Sequence, residues 1–374
     1  MQKKYISLGL MSGTSGDGVD ASIIQSDGVS TCEVLKNKYF EYDHTIYNKF
    51  HTLKEKINSK DDLTKLKKDI SFLEREITLF HAKIVSSLNN NSENLLIGFH
   101  GQTIYHNSRE KISFQLGDGR LLSQLTKKNV VFNFRKKDLD SGGEGAPLAP
   151  IFHQLLATQN NFNFPTCILN IGGISNITLI KEPIGSLELY SKDIGPGNCL
   201  IDSWMRKNSN MKFDKDGELG SRGQINEVIL ENAQELYLNR IEKNKLSFDV
   251  NDFDISFARG LSLEDGVATL TDFTASILVD TLTNFIDNKS VTINTIFLCG
   301  GGRKNKFLVD QIKKKISKKI DIKLIDDYNL NGDFIESQAF AFIAIRRALN
   351  LPISFPNTTG CTKPIIGGDL IKLN

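Results

Sequence analysis

A buried-type strand, Tyr5 to Leu10, runs straight into a turn that carries Gly13, Gly16 and Gly18, and a second strand follows over Ala21 to Gln25. Strand, glycine turn and returning strand predict a hairpin whose turn uses backbone angles closed to most other residues. The pattern recurs in the second half. Thr166 to Asn170 reads as a strand, Gly172-Gly173-Ile174-Ser175-Asn176 as a tight turn, and Ile177 to Ile180 as the returning strand. A third apolar strand, Thr295 to Cys299, ends in Gly300-Gly301-Gly302 and precedes an amphipathic helix, Phe307 to Ile316. Matching openings in the two halves of a 374-residue chain suggest a duplicated unit and two domains.

Between these landmarks, Leu63, Leu66, Ile70, Leu73, Ile77, Phe80, Ile84 and Leu88 recur at spacings of three and four, which predicts a helix over residues 60 to 88. The repeat is too short for a coiled-coil seam to be favoured over a helix packed on its own domain. Leu95 to Phe99 and Val130 to Arg135 read as further strands, and Glu336 to Leu349 as a helix stopped before Pro352. The breaker-rich loop Gly142 to Pro147 marks a region of the domain junction. We expect one lobe at residues 1–133 plus about 355–374 and the other at 134–354.

Composition narrows the partners. Forty-six basic and 44 acidic residues leave a net charge of +2, so neither nucleic acid nor an anionic membrane is expected as the main partner. The runs Lys313-Lys314-Lys315 and Lys318-Lys319 read as a solvated helix face. Five scattered cysteines without a Cys-x-x-Cys pair argue against disulfides and zinc, and the six histidines form no metal-ligand motif. No signal-peptide layout opens the sequence and no apolar run spans a bilayer, so a soluble, cytoplasmic protein is expected.

The turns suggest phosphate chemistry, because backbone N–H groups converge on phosphate where glycine lets them, helped by nearby hydroxyls. Ser12, Gly13, Thr14, Ser15, Gly16 and Gly18 supply those parts, and Asp17 and Asp20 add carboxylates able to hold magnesium through water. The turn is neither a P-loop nor a dinucleotide-binding turn, since the lysine of the first is missing and a strand, not a helix, follows. A single glycine hairpin is as easily mere turn geometry. Three of them make a coherent nucleotide site. Asp193, at the mouth of Asp193-Ile194-Gly195-Pro196-Gly197-Asn198, is by its segment alone equally a turn carboxylate or a catalytic one.

Taken together, Gly9 to Asp20, His100-Gly101-Gln102-Thr103, Gly142 to Leu148, Asn170 to Asn176, Asp193 to Asn198, Asp214-Lys215-Asp216-Gly217, Cys299 to Gly302 and Glu336 to Ala341 resemble the anhydro-N-acetylmuramic acid kinase family, in family order over nearly the whole chain. The resemblance implies a two-domain actin/hexokinase-like α/β fold, a duplicated ribonuclease-H-like unit with a central cleft. It implies ATP and magnesium as cofactors and the anhydro sugar of cell-wall recycling as substrate, and it leaves a homodimer open. Asp193 matches the family's general base. Gly13, Thr14, Ser15, Gly16, Asp17, Gly18, Val19 and Asp20, with Gly172, Gly173, Gly300, Gly301 and Gly302, match its ATP site, and Asp17 a water-mediated metal contact. His100, Gln102, Thr103, Arg135, Asn198 and Glu336 fall at sugar-binding positions. A kinase for another anhydro or amino sugar, or an ATP-switched binding protein of the actin/Hsp70 type, are the alternatives.

Three departures from the family pattern stand out. Gly16 replaces a usual leucine and is expected to loosen the phosphate turn. Asn133-Phe134-Arg135 replaces Asp-Phe-Arg. Ser247 to Asp254 replaces a characteristic stretch of the second domain, a change expected to leave the string around Asp193 untouched.

Overall fold

The protein is described by a computed structural model over residues 3–88, 94–185, 187–240 and 247–373. These residues divide into two compact units. Unit 1 holds residues 1–162, 183–189 and 334–374, and unit 2 holds 163–182 and 190–333.

In unit 1, strands β1 (Tyr5–Ser12), β2 (Gly18–Ser26) and β3 (Cys32–Glu41) form an antiparallel meander. β4 (Leu96–Asn107) pairs parallel with β1, and β6 (Asn129–Phe132) pairs parallel with β4. β5 (Ile112–Leu116) folds back on β4, and β12 (Asp369–Ile371) closes the far edge antiparallel to β6. From its meander edge the sheet therefore runs β3-β2-β1-β4-β6-β12. In unit 2, β7 (Thr166–Ile171), β8 (Ile174–Ile180), β9 (Leu189–Pro196), β10 (Thr295–Cys299) and β11 (Asp321–Leu324) run β9-β8-β7-β10-β11. Here too a hairpin opens the unit, and the fourth strand pairs parallel with the first. Both sheets thus have the order 3-2-1-4-5, and the duplication suggested by the two glycine hairpins is present in the topology.

Helices cover these sheets. Unit 1 carries α1 (His44–Glu55), α2 (Lys60–Lys65), α3 (Lys67–Ser87), α4 (Gly119–Thr126), α5 (Lys136–Asp140) and α6 (Pro150–Gln159). Unit 2 carries α7 (Cys199–Asn208), α8 (Glu227–Arg240), α9 (Leu263–Asp287) and α10 (Lys306–Lys315). The last long helix, α11 (Ile335–Ala348), returns to unit 1. The helix expected over 60 to 88 breaks at Leu66, and the stripe Ile70, Leu73, Ile77 and Ile84 is buried in the core of its own unit, not set aside for a coiled coil.

The seams at 162/163 and 333/334 differ from the expected 133/134 and 354/355, because α11 packs on the first sheet and α6 packs against α11. Side chains at Gly9 of β1 and Gly98 of β4 would run into backbone of α11, so glycine is what lets the helix lie directly on these strands. The buried rings of Phe152 on α6 and Phe342 on α11 then pack together at 5.6 Å. The lysine run on α10 is exposed as expected, with Lys315 reaching Asp272 at 2.9 Å. All five cysteines are buried thiols outside any disulfide. No helix among the described residues is long and apolar enough to cross a membrane.

Candidate active site

The phosphate turn of unit 1 leaves β1 at Ser12 and enters β2 at Gly18. Its glycines do different things. A side chain at Gly13 would meet nothing of the protein nearer than 3.9 Å, so neither packing nor a positive φ asks for glycine there. The backbone at Gly13 is simply left bare, which is what close approach by a phosphate needs. Gly16 is the opposite case. Its φ is +67°, and a Cβ would run into the ring of fully buried Phe50 on α1. Phe50 fills the space that a leucine would occupy, so the turn is packed at this position, not loosened as the sequence suggests.

Other side chains brace the turn from beneath. Gln102 Nε2 donates to the Gly13 carbonyl at 2.8 Å, made possible by the register that sets Ser12 beside Gln102 across β1 and β4. Lys54 Nζ donates to the Thr14 carbonyl at 3.2 Å. The Ser12 hydroxyl, buried, is engaged by the Tyr42 hydroxyl at 2.9 Å and lies 3.5 Å from His81 Nε2, so it faces into the unit. His81 Nδ1 donates to the Ile77 carbonyl at 2.8 Å, and burial pulls its pKa down to about 4, so the ring is neutral. Asp17 and Asp20 both bring negative charge to Tyr39, whose hydroxyl is pushed up first by burial and then by these carboxylates. No group of three or more His, Cys, Asp or Glu forms a metal cage among the described residues. A magnesium ion held mainly by phosphates and water needs only one or two carboxylates, and Asp17 and Asp20 fit that demand.

Within β4, His100 is 5 % exposed and has both ring nitrogens engaged. Arg135 Nη2 donates to Nε2 at 3.0 Å, which makes Nε2 the acceptor, so Nδ1 carries the proton and donates to the Gly101 carbonyl at 2.8 Å. Burial first, and the Arg135 charge second, bring the His100 pKa down to about 3. Arg135 Nη1 also donates to the Gly145 carbonyl at 2.8 Å. Thr103 Oγ1 accepts from Gln115 Nε2 at 3.2 Å, and Glu336 lies in the first turn of α11. Asn133 is exposed at φ +52°, a conformation asparagine tolerates well, and donates to Asp369 at 3.0 Å. Its φ ends β6 at Phe132, short of the Arg135 expected from sequence.

In unit 2 the glycine turns gather around Asn198. The Gly197 and Asn198 amides donate to the carbonyls of Gly173 and Gly172 at 2.9 and 2.8 Å. A side chain at Gly301 would find only Asn198 Nδ2, at 3.9 Å, so this glycine too leaves bare backbone. Asn198, expected among the sugar contacts, lies beside the Gly172-Gly173 and Gly300–Gly302 turns. Arg303, 6 % exposed, clamps the third turn: it donates to the Gly300 carbonyl at 2.9 Å and to Asp326 and Asp333 at 2.6–2.7 Å. Asp193, 6 % exposed near the end of β9, accepts from the Phe248 amide at 2.8 Å. The substituted stretch thus does touch Asp193, contrary to expectation. It does so through backbone, which is why side-chain letters gave no sign of it.

The model of the family described as anhydro-N-acetylmuramic acid kinase matches residues 4–372. A protein of Pelagibacter ubique with the name anhydro-N-acetylmuramic acid kinase is 54 % identical over 374 residues, covering 100 % of both chains. The chain belongs to this family.

Relatives of the same name from Zymomonas mobilis and Gluconobacter oxydans are each 35 % identical, covering 97 % and 96 % of this chain and 98 % of their own. Among solved structures, component A of the (R)-2-hydroxyglutaryl-CoA dehydratase of Acidaminococcus fermentans is similar at 12 % identity, with a TM-score of 0.44, over 92 % of this chain and 99 % of that one. In this chain Gly16 packs against Phe50, and Asp193 is supported from the 247–254 stretch. Phe50 and Lys54 act on a turn distant in sequence, and Arg303 is held by Asp326 and Asp333, 23 and 30 residues further on, so none of the three could be picked out from sequence.

Proposed function

We propose that the protein uses ATP to open 1,6-anhydro-N-acetylmuramic acid with water and to phosphorylate O6, giving N-acetylmuramic acid 6-phosphate, as a cytoplasmic step in peptidoglycan recycling. The observation that carries this reading is Asp193: a buried carboxylate, oriented by the Phe248 amide, in a chain that matches the kinase family end to end.

The substrate has no free 6-hydroxyl, so an ordinary attack of a sugar hydroxyl on phosphorus is closed. Asp193 takes a proton from water, the water oxygen bonds to carbon 1, and the carbon 1–O6 bond breaks. O6 takes the γ-phosphoryl group as the bond to the β-phosphate oxygen breaks and ADP leaves. Base help of this kind contributes about 10²–10⁴ in rate. The bare backbone at Gly13 and Gly301 supports close approach of phosphates, with Thr14, Ser15, Gly16, Asp17, Gly18, Val19, Asp20, Gly172, Gly173, Gly300 and Gly302 shaping the turns. Asp17 would hold a magnesium ion through water, which would supply positive charge against the phosphates. Arg135, Thr103 and Glu336 bind the sugar, His100 orients Arg135, Gln102 sets the phosphate turn, and Asn198 orders the turns of unit 2.

A coupled assay of ATP consumption tests the reading. ATP should be consumed only when the anhydro sugar is present. Equal consumption without sugar, or a preference for N-acetylmuramic acid with its free 6-hydroxyl, would contradict it.

A further inference from the structure

Asp138 is a buried carboxylate that the proposed reaction does not use. It sits on α5, fully buried. Its Oδ2 accepts from the Gly145 amide at 2.8 Å, and its Oδ1 accepts from the Ser354 and Thr359 hydroxyls at 2.5 and 2.6 Å. Its own carbonyl accepts from the Gly143 amide at 2.9 Å, and a side chain at Gly143 would collide with the carboxylate. Three neutral donors hold it, and no cation pairs with it among the described residues. Filling space does not need a carboxylate whose donors come from two separate stretches of chain, so its presence calls for a further reason.

The reason lies one bond further on. The same Gly145 whose amide Asp138 grips presents its carbonyl to Arg135 Nη1 at 2.8 Å, and Arg135 Nη2 donates to His100 Nε2 at 3.0 Å. An unbroken line runs from the carboxylate through the Gly145 peptide and the guanidinium to the imidazole. The loop also rests on the C-terminal segment, where Glu144 donates to the Thr359 carbonyl at 2.8 Å. Lys111 Nζ ties the Gly142 and Gly143 carbonyls at 2.9 and 3.0 Å.

We infer that Asp138 is a positioning residue for sugar binding: by fixing loop 142–147 on the segment at 354–359 it sets the Gly145 carbonyl that aims the Arg135 guanidinium. This rests on the reading that Arg135 contacts the sugar. A displaced clamp costs binding steeply, since small misplacements at a reacting site are amplified.

The test compares variants on both sides of the carboxylate. Asp138→Leu keeps the branched shape, with bulkier methyls in place of the oxygens, and removes both side-chain acceptors. Asp138→Asn keeps one oxygen for Gly145, because the two hydroxyls can turn and accept from the amide. Ser354→Ala removes a donor on the Oδ1 side only. Asp138→Leu should raise the KM for the anhydro sugar about tenfold or more and leave the KM for ATP within about twofold. Asp138→Asn should stay within about threefold of the parent for both, and Ser354→Ala should lower Tm with a parental KM for the sugar. Should Asp138→Leu fail to fold, Asp138→Ala makes the same comparison. A folded Leu or Ala variant with parental KM for the sugar would overturn the inference, and so would Ser354→Ala raising that KM as much as Asp138→Leu. Hydrogen exchange separates this failure from failure of the functional reading. If the parent does not turn over the sugar, that reading falls. Amides 142–147 should still exchange about tenfold faster in the Leu or Ala variant, with residues 13–18 unchanged. Unchanged exchange at 142–147 would overturn the positioning role by itself.

Discussion

Two residues bear most of the argument about chemistry, and both are judged by what holds them. Asp193 is held by a backbone amide, so its orientation survives loss of its charge. Asp193→Asn should therefore keep the fold and much of the ATP affinity, and lower kcat by about 10²–10⁴. A calorimetric titration with ATP beside a turnover assay checks both halves, and an Asn variant within a few-fold of the parent in kcat would remove Asp193 from the base role. Gly16 is held by Phe50. Gly16→Leu, which restores the residue usual in the family, should cost about 1–3 kcal/mol by overpacking and raise the KM for ATP. Combining it with Phe50→Ala should recover part of both. The double-mutant cycle should show coupling of about 1 kcal/mol or more, whereas simple additivity would show that the two side chains do not compete for one space.

At the scale of elements, the close seat of α11 on the first sheet is a glycine effect. Gly98→Ala places a methyl against the Phe340 carbonyl of α11 and should cost about 1–3 kcal/mol in urea unfolding. An unchanged midpoint would show that the helix can lift without loss. The strands and glycine hairpins could be read directly from sequence, because apolar runs bounded by glycine leave few other outcomes. Residues 295–299, for instance, form a strand over the expected span. The long helix was legible in type, but its break at Leu66 was not, since the apolar period continues across it. Lobe boundaries were not legible either. The seat of α11 on the first sheet is set by Gly9 and Gly98, and that of α6 on α11 by the Phe152–Phe342 contact, all far apart along the chain. Candidate site residues inside family strings could be proposed in advance. Partners reached through backbone, such as Phe248 for Asp193 and Gly145 for Arg135, could not, because a backbone donor or acceptor carries no letter of its own.

For the whole molecule, three buried histidines set a pH dependence of stability. Burial brings His81 down to about 4, and His100 and His153 down to about 3, from an ordinary value near 6.5. A histidine kept neutral in the fold binds fewer protons than in the unfolded chain. Its contribution is complete above 6.5 and is lost as pH falls from there toward the folded value. At pH 5 each could withdraw up to about 2 kcal/mol, at 1.36 kcal/mol per unit. Asp27 works in a lower window. Burial raises its pKa, but hydrogen bonds from Thr31, Val29 and Ser30 outweigh this and hold it at about 2, so its contribution is lost only below about 3.8. Urea midpoints should therefore fall clearly between pH 7.5 and pH 5, and equal midpoints would mean that these rings take up protons in the folded protein.

The central claim is that ring opening by water and phosphoryl transfer to O6 are one coupled event run from Asp193. Turnover of the anhydro sugar with ATP and magnesium in oxygen-18 water, followed by mass analysis of the product, tests it most directly. The account predicts one heavy oxygen on the anomeric carbon, with the bridging oxygen of the 6-phosphate light because it comes from the substrate. Heavy oxygen in the phosphate group would mean that water attacked phosphorus, and would contradict the coupled mechanism.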